Sequence, residues 1–424
     1  MNEIKDLIIG IDFGEKYSQI CYFDRKAEEP CSLSMKVGAE ELEAPTCVCK
    51  RVGHGDYVVG REAVYFAREK GGVMVENLYE LCQAEEPVLI AGEREEPWEL
   101  LSVFLKGMLK ILGVAEVVKN TRCLVLTCPS LGEIQVKNLE RACEALGFGQ
   151  EQYLLMDYGE SFYYYVLTQK RETWNRSVGW YAFDQDRVTF RRLSMNSGSR
   201  PILVRLEDPK ETTLAPAAGQ GADNGDNEKR DQEFLEFAKE SLGNDLYSSI
   251  QITGYGFDQK WARKSVGHLC MQRRKVFYGN NLFAKGACAA GKEKLEDRNL
   301  KGYRYMSPAL VTTDVGMDMR VMGSPTYYPL IEAGKNWYEC KAECEFLLDN
   351  TQELVFVVSA LGEKEKKRVA MGLPGLPKRP NKTTRLRLSL SFTSPKECRI
   401  VVKDLGFGEM FPSSGRVWKE SVEW

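Results

Sequence analysis

Asp12 and Gly14 lie in the stretch best equipped for chemistry, LIIGIDFGEKYSQICYFD (residues 7–24), where an apolar strand, an Asp-x-Gly turn and a second strand follow one another. Apolar runs on both sides should bury the strands and leave the turn at their end. Gly14 admits backbone conformations closed to other residues. Such a turn can bring backbone N–H groups against a phosphate while Asp12 holds a metal-bound water. Other chemistries have less to work with. The chain has two histidines, His54 in the turn-like RVGHGDY and His268 in the helix-like ARKSVGHLC, and both read as structural or surface residues. Its 13 cysteines are scattered, and the closest pairs, Cys47/Cys49 and Cys340/Cys344, lack the spacing of a zinc site. Reduced, mostly buried thiols are the expectation.

The elements that must position this turn are legible in outline. At 424 residues, 43% hydrophobic and 28% charged, the chain has the length and composition for two or three globular domains. A net charge of −3 argues against a general nucleic-acid binder. No stretch approaches the roughly 20 apolar residues needed to span a bilayer, and MNEIKDLIIG enters a strand at once without a leader pattern. A cytoplasmic protein without nucleic-acid or membrane partners is the expectation. Residues 1–70 read as a strand meander closing in a helix, and residues 98–113 carry apolar side chains at helical spacing. The strand CLVLTCP, the helix LGEIQVKNLERACEALGF, the strand YLLMD, the aromatic helix GESFYYYVLTQK and the hairpin GWYAFDQDRVTFRRL complete an α/β lobe. Residues 207–231 contain almost nothing large and apolar and are expected to form a disordered loop. Strand-like runs separated by Pro and Gly dominate from about residue 306, which gives domains at 1–305 and 306–424, the second all-β. There is no internal sequence repeat. The basic runs QRRK (272–275) and KEKKR (364–368) read as solvated faces or hairpin tips.

Taken in order, these segments resemble the 70-kDa heat-shock (DnaK-type) chaperones, whose ATPase domain has the actin-like, duplicated ribonuclease-H-like fold. IGIDFGEKYSQI is similar to the family's first phosphate loop, LVLTCPSLGEIQVKNLERACEALGF to its strand–Pro–helix connection, and ITGYGF and NNLFAKGACAAG to its adenosine-binding turn and closing helix. LVTTDVGMDM, SPTYYPLIEAGKNW and GLPGLPKRPNKTTRLRLSLSF resemble the interdomain linker and the peptide-binding β-sandwich, and the sequence given stops before the helical lid. The resemblance implies an actin-like domain followed by a β-sandwich. It assigns Asp12, Asp157 and Asp184 as the remaining catalytic or metal-side carboxylates. It places Gly14, Lys16, Ser18, Gly254 and Gly256 at a nucleotide, and Leu330, Ile331, Phe346 and Phe356 along a bound peptide.

The departures all weaken the nucleotide site. Glu15 and Lys16 replace two threonines, and a carboxylate about 4 Å from a phosphate costs on the order of 4 kcal/mol at an effective dielectric near 20. FDQDRVTF keeps Asp184 but has no glycine to form a second anion nest. ENLYELCQ (76–83) offers no lysine where the family has its catalytic one. The 70 residues from Asp184 to Gly254 leave a reduced nucleotide-clamping subdomain. The favoured expectation is a catalytically inactive chaperone-like protein that binds a polypeptide or partner protein, with no cofactor and no metal site. The alternative is an atypical Mg-ATP-binding chaperone ATPase, with residual ATP and magnesium at Asp12, Lys16, Asp157 and Asp184. A sugar- or acetate-kinase-like enzyme of the same superfold is a third reading. The GIDFG and ITGYG turns are open to two explanations, fold-determining glycines or residual nucleotide binding.

Overall fold

Three consecutive strands, β1 (Leu7–Phe13), β2 (Tyr17–Asp24) and β3 (Glu29–Ser32), make an antiparallel meander. The apolar run of β1 is buried on both faces of the sheet, as a central strand must be. The chain then diverts into residues 33–96, which hold short strands and the helix Gly60–Glu69. It returns through α1 (Pro97–Lys110), β4 (Thr121–Cys128), α2 (Glu133–Ala145), β5 (Tyr153–Asp157) and α3 (Tyr158–Leu167). Pro97 opens α1, a capping box between Glu96 and Glu99 closes its first turn, and Leu100, Leu101, Phe104, Leu105 and Met108 form the buried stripe. Strand β4 runs parallel to β1 and β5 parallel to β4, giving the order β5-β4-β1-β2-β3.

The next stretch repeats this plan. A meander of β6 (Ser177–Asp184), β7 (Arg187–Asn196) and β8 (Ile202–Leu206) is followed by α4 (Asn224–Leu242), β9 (Tyr247–Tyr255), α5 (Arg263–Leu269), β10 (Lys275–Tyr278) and α6 (Leu282–Lys292). Strand β9 is parallel to β6 and β10 parallel to β9, so the order is β10-β9-β6-β7-β8, the same order and sense as in the first sheet. The two sheets differ in the length of chain inserted after the third strand: residues 33–96 in the first, only residues 207–223 in the second. Helix α4 buries Phe234 and Phe237 against Tyr181, Phe190 and Ile250 of the second sheet. Helices α3 and α6 pack on each other, and α6 also lies on β1, β2 and β4.

The structure, a computed structural model, describes residues 6–36, 38–216, 224–361 and 365–423. It divides into two compact units, Met1–Met306 and Ser307–Trp424. The expected loop at 207–231 is corrected in part. Residues Lys210–Thr213 form a strand paired with β7 and α4 begins at Asn224, while residues 217–223 lie outside the described residues. The second unit consists of two antiparallel four-stranded sheets. One contains β11 (Thr313–Val321), β12 (Ser324–Ile331), β14 (Glu353–Ala360) and β15 (Lys367–Gly372) in the order β12-β11-β14-β15. The other contains β13 (Lys341–Leu347), β16 (Arg385–Phe392), β17 (Glu397–Gly406) and β18 (Val417–Glu423) in the order β13-β16-β17-β18. Strict alternation in RLRLSLSF buries Leu386, Leu388, Leu390 and Phe392 on one face. No helix among the described residues is long and apolar enough to cross a membrane.

Candidate functional site

The β1–β2 and β6–β7 turns occupy equivalent places in the two repeated sheets, and they meet. Lys16 Nζ lies 3.4 Å from Asp184 Oδ1, both side chains largely exposed at 60% and 72%. Behind this pair the rings of Tyr17 and Tyr255 are 5.2 Å apart. An ion pair this exposed holds the turns together only weakly, with about 0–1 kcal/mol.

Asp12 is the penultimate residue of β1 and is only 4% exposed. Its Oδ1 accepts a hydrogen bond from the Tyr158 hydroxyl at 2.7 Å, and the Tyr158 ring stacks on Phe283 with centroids 3.7 Å apart. Burial pushes the Asp12 carboxyl up to about 8, the Tyr158 hydrogen bond pulls it down, and Glu43 raises it further. Its ionisation is thus opposed by its surroundings, beneath a phenol. Asp157 ends the neighbouring strand β5 and is committed to α3, whose N-terminus it caps by accepting from Glu160 N at 2.7 Å. Burial raises this carboxyl to about 6. Gly14 is required for space rather than for an unusual φ, since a Cβ there would lie 2.4 Å from the Tyr17 carbonyl oxygen and 3.0 Å from the Tyr158 hydroxyl.

The second turn is fastened from below. Arg230 on α4 is fully buried, and its guanidinium donates to Asp186 Oδ1 at 2.6 Å, to the Gln185 carbonyl at 2.6 Å, to the Gly256 carbonyl at 3.3 Å and to the Ala215 carbonyl. It also lies over the Trp261 ring at 4.9 Å. Gly254 and Gly256 both have positive φ, and a Cβ on them would fall 1.9 Å from the Phe183 oxygen and 2.2 Å from the Gln185 oxygen. The backbone around β6 thus accounts for both glycines.

Of the residues expected at a nucleotide, the structure brings together Asp12, Gly14, Lys16 and Asp184 around the facing turns. Ser18 is fully buried, and its hydroxyl is 2.8 Å from that of Thr46. Among the expected peptide-lining residues, Phe356 is fully buried, and Ile331, also buried, borders a small cavity together with Leu330. Leu330 and Phe346 are half-buried. The residues that sequence reasoning missed are Tyr158, Tyr255, Arg230 and Glu43. The first was visible as DYGE, an aromatic directly after the strand-end carboxylate. Arg230 was hidden in a segment too polar to suggest order. All 13 cysteines are unpaired, and among the described residues no group of three or more His, Cys, Asp or Glu is arranged for a metal ion.

A family described as a family of unknown function (DUF5716), C-terminal part, matches residues 29–308, well over half of the chain. The chain belongs to the DUF5716 family. A second match, to a domain of unknown function (DUF8552), covers residues 310–424. No curated protein matches the chain. In this DUF5716 member the two matched regions, 29–308 and 310–424, meet within a few residues of the division between the compact units at Met306 and Ser307.

Proposed function

We propose that this DUF5716 member is a catalytically inactive, chaperone-like protein of the actin-like superfold that binds a polypeptide or partner protein. The repeated sheet order, each half a three-strand meander followed by alternating helices and strands, supports a duplicated ribonuclease-H-like architecture. The short connection at 207–223 supports a reduced nucleotide-clamping subdomain. The single observation that carries the inactive reading is the Tyr158–Asp12 pair. The carboxyl that would hold a metal-bound water is buried, pushed up to about 8 by that burial, and capped by a phenol.

A triphosphate with its cation does not fit the residues present. Asp157 is committed as a helix cap, and the second turn presents Asp186 and the Gln185 carbonyl, held by Arg230, in place of a nest of free N–H groups. The partner-binding half of the reading is supported by exposed apolar side chains at the β11–β12 hairpin, Val321, Met322, Tyr327 and Tyr328.

Isothermal titration of the full chain with Mg·ATP tests the reading. The expected result is no saturable heat, while an array of hydrophobic peptides binds the same protein without nucleotide. Micromolar Mg·ATP affinity would overturn the inactive reading in favour of an ATP-binding chaperone ATPase.

A further inference from the structure

The two repeated sheets end differently at equivalent edges. Strand β5, at the edge of the first, has no exposed residue, whereas β10, in the same place in the second, exposes Lys275, Phe277 and Tyr278. Phe277 is 40% exposed and Tyr278 58%. Among the described residues β10 pairs with β9 alone. Just past its end the Gly279 N–H bonds inward to the Ile252 carbonyl at 3.1 Å. Strand alternation therefore turns the N–H and C=O of Val276 and Tyr278 away from the sheet, towards the open edge. Proline blunts other edges of the molecule, with Pro30 in β3 and both Pro325 and Pro329 in β12. Strand β10 has none.

The charge beside this edge selects what would cover it. In a chain whose net charge is −3, residues 259–278 hold six Lys or Arg and no Asp or Glu. Arg274 is buried and donates to the Leu269 and His268 carbonyls. Lys260, Arg263, Lys264, Arg273 and Lys275 are exposed. Of these, Lys275 alone is in an ion pair among the described residues, with Glu172 at 2.5 Å. That carboxyl is itself shared, held below its ordinary range by Lys275 first and by Lys170 as well. A nucleic acid would use these cations and leave the outward backbone groups idle. An extended acidic polypeptide uses both.

We propose that β10 is a docking edge for an extended acidic segment of a partner polypeptide, which joins the second sheet as a further strand. The Val276 and Tyr278 backbones supply the ladder, the exposed cations of α5 and of the turn into β10 take the carboxylates, and Phe277 and Tyr278 offer an apolar contact on each face. Strand β10 has only four residues, so charge carries a large share of the binding and salt weakens it. The edge belongs to the first unit and uses neither the β11–β12 hairpin nor the nucleotide turns, so this inference and the reading above can fail separately.

The test is fluorescence anisotropy of the full chain with a labelled short peptide of alternating valine and glutamate. The controls are the same peptide with lysine for glutamate, the acidic peptide with its central backbone nitrogens methylated, and a single-stranded oligouridylate. Saturable binding of the acidic peptide is expected, with roughly tenfold or greater weakening for each control and on raising salt from about 50 to 300 mM. Tyr278→Pro removes an outward N–H and Arg273→Glu reverses an exposed charge, and each should weaken binding about tenfold. Arg273 is exposed, so Arg273→Glu decides the matter if Tyr278→Pro does not fold. No saturable binding of the acidic peptide, equal binding of the lysine or the methylated peptide, tighter binding of the oligonucleotide, or unchanged affinity in Arg273→Glu would overturn the proposal.

Discussion

Asp12 is a carboxyl for which ionisation is opposed by its surroundings, and that has a measurable cost. Its folded-state value, raised to about 8, exceeds the unfolded value near 3.9. Its contribution to stability is therefore fully present below pH 4 and is lost as pH rises towards 8, because the unfolded chain releases the proton first. Asp12→Asn keeps an acceptor for the Tyr158 hydroxyl and removes the ionisation. It is expected to stabilise the protein at pH 8 by on the order of 3 kcal/mol and to do nothing favourable at pH 4, as read from thermal melts at the two pH values. Arg230 is the opposite case, a charge that the fold needs. Arg230→Met leaves the Gln185, Ala215 and Gly256 carbonyls without their donor and Asp186 without its cation. Asp186 remains partly solvated, so most of the loss comes from the carbonyls, and urea unfolding should show a drop of about 3 kcal/mol.

Strand β12 is an open edge of its sheet, paired only with β11, and it displays Tyr327 and Tyr328. An edge of this kind invites pairing with another chain. Pro325 and Pro329 flank Tyr327 at alternate positions, and a proline on a strand is tolerated where its nitrogen faces away from the ladder, so they remove donors that an incoming strand would use. Replacing both, Pro325→Thr with Pro329→Val, is expected to give concentration-dependent self-association by sedimentation velocity, while the natural sequence stays at one sedimentation coefficient over the same range. The elements themselves were readable where one local signal dominated. YLLMD coincides with β5, and the apolar spacing read over 98–113 corresponds to α1, which ends at Lys110. The misreading of 207–231 has a physical cause. The start of α4 is held by a buried arginine and by Phe234 and Phe237 further along, so its order comes from contacts that local composition does not report. Strand alternation turns Ser18 to Thr46, a contact with a residue 28 positions on that local sequence does not report. The repeat of the two sheets left no internal sequence repeat and was expected only from the family resemblance, because IDFGEKY and AFDQDRV share a place in the topology and not a residue pattern.

Across the whole molecule, the two units carry ionisable groups that respond to pH with opposite sign, and this should separate their unfolding. In the second unit Asp404 is buried, which would raise its carboxyl, but both Arg379 nitrogens at 2.8 Å, the Ser414 hydroxyl and N–H, and the Gly406 N–H outweigh that and hold it well below the usual range. Its stabilisation is present above pH 4 and is lost as pH falls. In the first unit Asp12 acts the other way. Asp157, raised to about 6, adds to that trend at lower pH, and His268, pushed down by burial and by Arg274 and Lys239, opposes it below pH 6.5. The window from pH 6.5 to 8 therefore isolates Asp12. Each unit has its own buried core, so differential scanning calorimetry should resolve two transitions. One should fall in temperature between pH 6.5 and 8 and become flat in Asp12→Asn. The other should not move in that window, and Asp404→Asn should lower it alone, by about 3–5 kcal/mol, since the substitution leaves the buried Arg379 without its carboxylate. A single transition that shifts as one under both substitutions would mean that the units unfold together, and the pH responses would then cancel instead of separating.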